Sequence, residues 1–510
     1  MAAGHVEIER KFEVGSDFRL PDLGGLPGVA AVGEPVEHLL EAVYHDTPDL
    51  RLVRNRVTLR RRSGGTDAGW HLKLPAVDGA RRELHAPLGA ATDRPPAEVL
   101  DPVAGLVRGA ATGPVATLRT RRVVTPLLGT DGRVLAEVAD DVVTGTVPAG
   151  PGDEGGTVLG WREVEVELVD GDEPLLAAVG ARLEAAGARI SALPSKVGRV
   201  LAGRLAALQP AARPADGAAS AGDAASAALA DQFAALQQAD LAVRTGRPDG
   251  VHDLRVATRR LRAVLTAFRT ALDPDRTRPV REELRWVARE LSRVRDEEVA
   301  LATLRDLVAA QPPELVLGPV AARLQQAALR AEQEGAAAAR AVLEGDRYLG
   351  LLDTLAELLA DPPLTEGAGA PADAVLRDAL RRRGRRLRRR LAALDRAADA
   401  DRGPALHAVR RAARQVRYTA ELAEPLLGRR AGKLVRRAKK VQGALGERQD
   451  TVLTREHCRR IGLAAAAAGE NAWTYGRLHG LEEARARRAE DRFAELVPAL
   501  TAALRAVRRS

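Results

Sequence analysis

The chain is poor in several things that most proteins of its length possess. One cysteine, Cys458, stands among 510 residues, which excludes an intramolecular disulfide framework and a cysteine-rich zinc site and reads as a cytoplasmic protein. No apolar run approaches the roughly 20 residues needed to span a bilayer, so membrane insertion is not expected. The N-terminus lacks a basic region followed by an apolar stretch, so secretion is not expected either. Aromatic residues make up 3% of the chain, which leaves few platforms for stacking nucleic-acid bases.

What is abundant is charge, and it is unevenly placed. Residues 1–200 hold 23 Lys and Arg against 29 Asp and Glu, a net of −6, while residues 201–510 hold 55 against 40, a net of +15. The second part therefore suits a polyanionic partner. The length predicts two or three units with their own cores, and the plentiful Ala, Leu and Arg predict much helix.

From about residue 4 to 205 the pattern is short alternating segments broken by Gly, Pro and Asp. Arg56–Arg60, Trp70–Leu74, Arg133–Val138 and Glu163–Leu168 read as strands of an antiparallel sheet or barrel. The clearest helix is Leu175–Ala186, ended by Gly187, so this part is α+β. Residues 206–221 have the Ala, Pro, Gly and Ser content of a linker. Residues 222–505 read as helical, with amphipathic stretches at Val251–Ala271, Arg281–Leu307, Ala374–Leu394, Pro404–Leu427 and Gly432–Arg460. An internal repeat divides them into about 222–360 and 373–505: His252-Asp-Leu-Arg255 onward aligns with His407-Ala-Val-Arg410 onward, and Arg295-Asp296 with Gln449-Asp450.

Strand alternation puts residues two apart on one face. Glu7, Glu9 and Lys11 then share a face, as do Glu163, Glu165 and Glu167, and Arg60 and Arg62. Lys73, Arg81, Lys196 and one of Arg119 and Arg121 add basic groups on other segments. Burying such rows is costly unless they are paired or hold ions. Carboxylates are hard ligands for Mg²⁺ or Mn²⁺, and guanidinium forks fit phosphate oxygens, so the two together describe a metal-dependent polyphosphate site.

The Glu7-Ile-Glu9-Arg-Lys11 strand, followed in order by Tyr44-His45-Asp46-Thr47, Leu59–Arg62, Trp70–Lys73, Arg81–Glu83, Ala136–Asp141, the Glu163 row and Ser195-Lys196, resembles the CYTH family, the triphosphate tunnel metalloenzymes. That resemblance implies an eight-stranded antiparallel β-barrel enclosing a tunnel. It implies metal ligation by Glu7, Glu9, Asp141, Glu163 and Glu165, with Asp140 and Glu167 as alternatives. Arg60, Arg62, Lys73, Arg81, Arg121 and Lys196 would hold phosphate, and Lys11 would sit by the attacking or leaving group, with Glu7 and Glu9 beside it in catalysis.

In the helical part, His252, Arg255, Arg259 and Arg262 fall on one helix face, and His407, Arg410, Arg414 and Arg417 repeat that stripe with no acid within it. Like charges so stacked predict an anion-binding groove, to which Lys439, Lys440 and the Arg381–Arg390 run add positive field. The stripes resemble the CHAD family, which implies duplicated four-helix bundles around a basic channel that binds inorganic polyphosphate. The combined expectation is a divalent-metal-dependent triphosphatase acting on triphosphate or polyphosphate with an attached polyphosphate-binding module. The other reading is a non-catalytic polyphosphate-binding protein associated with polyphosphate granules. A nucleic-acid binder and a nucleotide cyclase are weaker readings, for want of aromatics and of an adenine-reading element.

Overall fold

The computed structural model describes residues 3–65, 67–75, 81–89, 94–149, 156–193, 195–208, 220–247 and 249–508, without the side chains of residues 3–7, 81, 293–295 and 508. The chain divides into two units, Met1–Arg213 and Pro214–Ser510. Of the expected linker, residues 209–219 lie outside the described residues.

The first unit is built on β1 (Ala3–Glu7), β2 (Glu9–Val14), β3 (Ala31–Val32), β4 (Val36–Asp46), β5 (Thr58–Ser63), β6 (Gly69–Lys73), β7 (Arg81–Ala86), β8 (Gly113–Leu128), β9 (Val134–Val147), β10 (Thr157–Leu168) and β11 (Arg189–Ile190). Helices α1 (Arg51–Arg54), α2 (Ala97–Leu100), α3 (Ala104–Val107), α4 (Glu173–Ala185), α5 (Lys196–Val200) and α6 (Ala202–Ala207) connect or cover them. The expected single strand through Glu7–Lys11 is broken at Ile8. β1 pairs antiparallel with β7 and β2 with β10, so this interrupted strand joins the two ends of the series β7-β6-β5-β4-β8-β9-β10 and closes an eight-stranded barrel.

This barrel is turned inside out relative to a packed one. On β10, Val164 and Val166 point outward and pack with Leu175, Leu176, Val179 and Leu183 of α4 and with Phe12, Ala136 and Val138. The intervening Glu165 and Glu167 therefore point into the barrel, as period-2 alternation requires. On β6, Trp70 and Leu72 are buried outward while His71 and Lys73 line the interior. Asp172 caps α4 by accepting from Leu175 N at 3.0 Å, and Gly187 ends it at φ 99°, a conformation glycine adopts without strain. Ser195 caps α5 through Gly198 N, and Val197 and Val200 anchor that helix against the barrel wall, which leaves Lys196 at its first position aimed inward.

The second unit is helical: α7 (Ala221–Arg244), α8 (Gly250–Ala267), α9 (Pro274–Ala309), α10 (Val320–Glu344), α11 (Asp346–Ala360), α12 (Ala372–Leu394), α13 (Asp399–Leu427), α14 (Arg429–Ala467) and α15 (Trp473–Arg508). Helices α7–α10 and α12–α15 are the two expected four-helix sets, with α11 added to the first. They pack through α8 on α13 and α9 on α14. Leu254, Leu261, Leu265, Leu406, Val409 and Val416 belong to one continuous core, which keeps both arginine stripes off the apolar face. Helix α9 runs unbroken through Arg295 and Asp296, because nothing from Glu282 to Ala309 breaks a helix. No helix among the described residues is long and apolar enough to cross a membrane.

Candidate functional site

The barrel encloses a cavity of about 900 Å³ whose lining separates by charge. Strand β5 stands four strands from β10 in either direction around the barrel, so the two face each other across it. Arg60 and Arg62 of β5 and Lys73 of β6 line one side. Glu9 and Lys11 of β2, Glu137 of β9, and Glu165 and Glu167 of β10 line the other.

On the acidic side the register places Glu9 opposite Glu167 and Glu167 opposite Glu137, three carboxylates abreast on three adjacent strands. Burial holds the Glu167 carboxyl above the ordinary glutamate range, and Glu9, Glu165 and Glu137 add to this against the opposing pull of Lys73. Among the described residues no ion pair reaches Glu137 or Glu167. Lys11 bonds Glu165 and lies 3.3 Å from Glu9.

Behind this row lies a second acidic group, Asp141, Glu163 and Glu165, with ligand atoms within 4.8 Å of one another. Lys196 Nζ bridges all three at 3.0, 2.7 and 2.6 Å. Arg122 forks onto Asp141 at 2.8 and 2.6 Å and reaches Glu165 at 2.5 Å. Although burial pushes the Glu165 carboxyl up, Lys11, Lys196 and Arg122 hold it well below the ordinary range. The inner triad is thus matched by three cations, whereas in the outer Glu9–Glu167–Glu137 row Lys11 stands beside Glu9 and, among the described residues, no ion pair reaches Glu167 or Glu137. The clustered ligand atoms are those of the inner triad, while the outer row, with Lys11 beside Glu9, carries the net negative charge that attracts a hard divalent cation.

On the basic side Arg62 is pushed below the ordinary arginine range by burial and then by Arg60 and Arg122, with Asp67 opposing. The buried Arg60 Nε has no partner. Two carboxylates serve as local counterions: Asp67, paired with Arg62, and Glu83, 3.6 Å from Arg60, 3.3 Å from Lys73 and 2.8 Å from His71 Nδ1. Arg60, Arg62 and Lys73 against Asp67 and Glu83 leave a net positive wall, a receptor for phosphate oxygens.

The structure changes several site assignments drawn from the sequence. Arg121 faces outward, 56% exposed and paired with Glu37, and Arg119 pairs with Glu41 on the same outer face. Leu118, Thr120, Arg122 and Val124 line the cavity, so the even-numbered residues of β8 point inward and Arg122 takes the place expected of Arg121. Asp140 also faces away, bonded to Arg162 at 2.9 and 2.6 Å. Glu163 is buried behind the cavity, accepting from Trp161 Nε1 at 2.6 Å. The side chains of Glu7 and Arg81 lie outside the described residues, and their backbones pair with each other. Asp46 is a structural cap, accepting from Thr47, Leu52 and Val53 N at 2.7–2.9 Å. Glu137 was missed as a site residue, although its parity with Asp141 on β9 was the available signal.

In the second unit, Arg255, Arg259, Arg410, Arg414 and Arg417 converge where α8 packs on α13. Arg414 is pushed down to about 10 by burial and then by Arg259 and Arg410. The buried Nε atoms of Arg410, Arg414 and Arg417 have no partner. Tyr418 lies at the centre: its hydroxyl is 3.4 Å from Arg259 Nε, and Arg417 stacks 4.7 Å from its ring centroid. Acid does reach the stripes: α9 supplies one group across the helix packing, and α13 supplies another one turn beyond its own stripe. Asp296 meets Arg255 at 3.1 Å, and Glu421 meets Arg260 and Arg417 at 3.4 and 3.6 Å. Arg262 continues the cleft towards Arg285 and Arg281, which with burial push it below its ordinary range. His407 Nδ1 lies 3.2 Å from Gln449, while His252 is exposed. Lys439 and Lys440 are exposed on α14.

Family models match both units. A CYTH domain model matches residues 5–196 and a CHAD domain model residues 227–459. An uncharacterized protein of Mycobacterium tuberculosis (strain CDC 1551 / Oshkosh) is 38% identical over 99% of this chain and 98% of its own length. Among solved structures, PptA from Streptomyces chartreusis is 22% identical, covering 55% of this chain and all of that one at a TM-score of 0.45. The CHAD domain from the plant Ricinus communis is 24% identical, covering 58% of this chain and 95% of its own at 0.43.

Proposed function

We propose, from the premise that this chain belongs to the proteins joining a CYTH domain to a CHAD domain, that its barrel hydrolyses inorganic triphosphate or the end of a polyphosphate chain and its helical unit holds the chain. CYTH domains take triphosphate substrates and depend on a divalent metal. The observation that carries the proposal is the in-register Glu9–Glu167–Glu137 row facing Arg60 and Arg62 across one cavity.

In this reading Arg60, Arg62 and Lys73 bind the phosphate oxygens and fix the chain along the basic wall. Glu9, Glu137 and Glu167 would hold Mg²⁺ or Mn²⁺, with Glu7 completing the set from β1. Bound there, the ion neutralises phosphate charge and lowers the pKa of a coordinated water. Water adds at the terminal phosphorus while the bridging P–O bond breaks and the shorter chain leaves. Lys11, fixed between Glu9 and Glu165, is placed to meet the charge that develops on the attacking or leaving oxygen. Lys11, Arg122 and Lys196 together balance the three carboxylates of the inner triad, which leaves the outer row the better competitor for metal.

The test is phosphate release from tripolyphosphate with Mg²⁺ or Mn²⁺, for the wild type and for Glu9→Gln/Glu167→Gln. Release should be metal-dependent and fall by about 100-fold or more in the variant. A folded wild type that binds long polyphosphate yet releases no phosphate would refute the hydrolase and leave the non-catalytic binding reading.

A further inference from the structure

Helix α12 carries an arginine run that the duplication does not explain. Arg382, Arg385, Arg386, Arg389 and Arg390 recur at spacings of three and four, so they share one face, and they surround a hollow of about 500 Å³. The opposite face supplies Leu376, Leu380, Leu387 and Leu394 to the core. The corresponding helix of the first repeat, α7, has a single arginine, Arg244, which is tied to Asp240 and to the Leu343 carbonyl. Bundle packing therefore does not require the run. Arg382 bonds Asp378 one turn earlier, and among the described residues no ion pair reaches Arg385, Arg386, Arg389 or Arg390.

The run is also continuous with the cleft between α8 and α13. The α8 stripe of Arg255, Arg259 and Arg262 extends to Arg269, just past the helix end at Ala267. Arg269 lies near enough to Arg382 and Arg383 to disfavour the charge on both, and Arg281 does the same to Arg262 and Arg383. At 1.5 Å per residue, Arg255 to Arg269 covers about 20 Å and Arg382 to Arg390 about 12 Å. A triphosphate is short enough for either segment alone, whereas a long chain can occupy both.

We propose that the arginine face of α12 is a second binding subsite for the phosphate chain, so that the helical unit holds long polyphosphate by two segments and short chains by one. This rests on reading the α8/α13 cleft as the first segment. Joining the segments through one ligand raises the affinity for long chains by effective concentration, with no new contact in the cleft.

The test compares binding, without divalent metal, of tripolyphosphate and of chains of several tens of phosphates to the full chain with Arg60→Gln/Arg62→Gln, which silences the barrel, and to two further variants of it. Arg385→Gln/Arg386→Gln/Arg389→Gln/Arg390→Gln changes exposed residues and should leave the fold intact. It should weaken long-chain binding at least about tenfold, reduce the salt slope of log K by about 2 to 3, and leave tripolyphosphate binding unchanged. The matching Arg→Lys variant should restore most of the long-chain affinity. Unchanged long-chain affinity, or an equal loss at both lengths, overturns the proposal. Arg259→Gln/Arg414→Gln should weaken both lengths; if it weakens neither while the α12 variant does, the cleft reading fails and α12 stands as the binding site. A full chain with Arg60→Gln/Arg62→Gln alone that retains no long chain at all defeats both.

Discussion

Replacing Arg122 and Arg121 separately tests the inward parity of β8. Arg122→Gln removes a buried guanidinium that bonds Asp141, which is fully buried, and Glu165. Breaking a buried pair by deleting one partner costs about 3–5 kcal/mol, because a charge is left uncompensated. Lys196 still contacts both carboxylates, so the lower end, about 3 kcal/mol, is expected. At about 2–4 °C per kcal/mol for a unit of this size, the barrel should melt about 6–12 °C lower. Arg121 pairs with Glu37, and both side chains are about half exposed, 56% and 48%. Such a pair contributes about 0–1 kcal/mol, so Arg121→Gln should shift melting by at most about 4 °C. Arg122→Lys keeps the charge but loses the fork and should fall between the two. Differential scanning calorimetry of the full chain measures all three. Equal shifts for Arg121→Gln and Arg122→Gln, or a larger one for Arg121→Gln, refute the assignment of even-numbered β8 residues to the interior.

Glu167 supplies a pH test. Its folded carboxyl holds its proton more tightly than the unfolded one, so without metal the barrel should lose stability as pH rises from the ordinary glutamate value through the raised one, and level off above it. Glu167→Gln should abolish that slope. It should also remove most of the stabilisation that Mg²⁺ gives the wild type, about 2.7 kcal/mol at a hundred times the dissociation constant. Equal metal stabilisation of wild type and variant in thermal melts would exclude this row as the metal site. In the helical unit, Arg414 is held charged against burial and against Arg259 and Arg410, so Arg414→Gln should raise the ligand-free stability by about 1 kcal/mol while weakening polyphosphate binding. A urea titration with and without polyphosphate reads both effects, and a destabilised variant would contradict the repulsion argument.

The sequence was sufficient where a repeating pattern had a single reading. Glu163-Val164-Glu165-Val166-Glu167 alternates so strictly that one charged and one apolar face are unavoidable, and the paired stripes at His252 and His407 announce a duplicated helical unit. The sequence could not say which face of β8 points inward, because Arg119, Arg121 and Arg122 offer basic groups on both faces. Pairing with β4 and β9 settles it by placing Arg122 on Asp141 and leaving Arg121 to Glu37. Nor could it divide the acids into two groups. Lys196 arrives from a helix late in the unit and, with Arg122 and Lys11, balances Asp141, Glu163 and Glu165, which sets them apart from the Glu9–Glu167–Glu137 row. The α8 stripe likewise acquires Asp296 only when α9 packs beside it. Alternation and periodicity are local and act through the backbone, so the chain carries them openly. Charge compensation acts over a few ångströms between residues that stand tens of positions apart in the sequence, and the folded barrel and bundle decide which charges are matched.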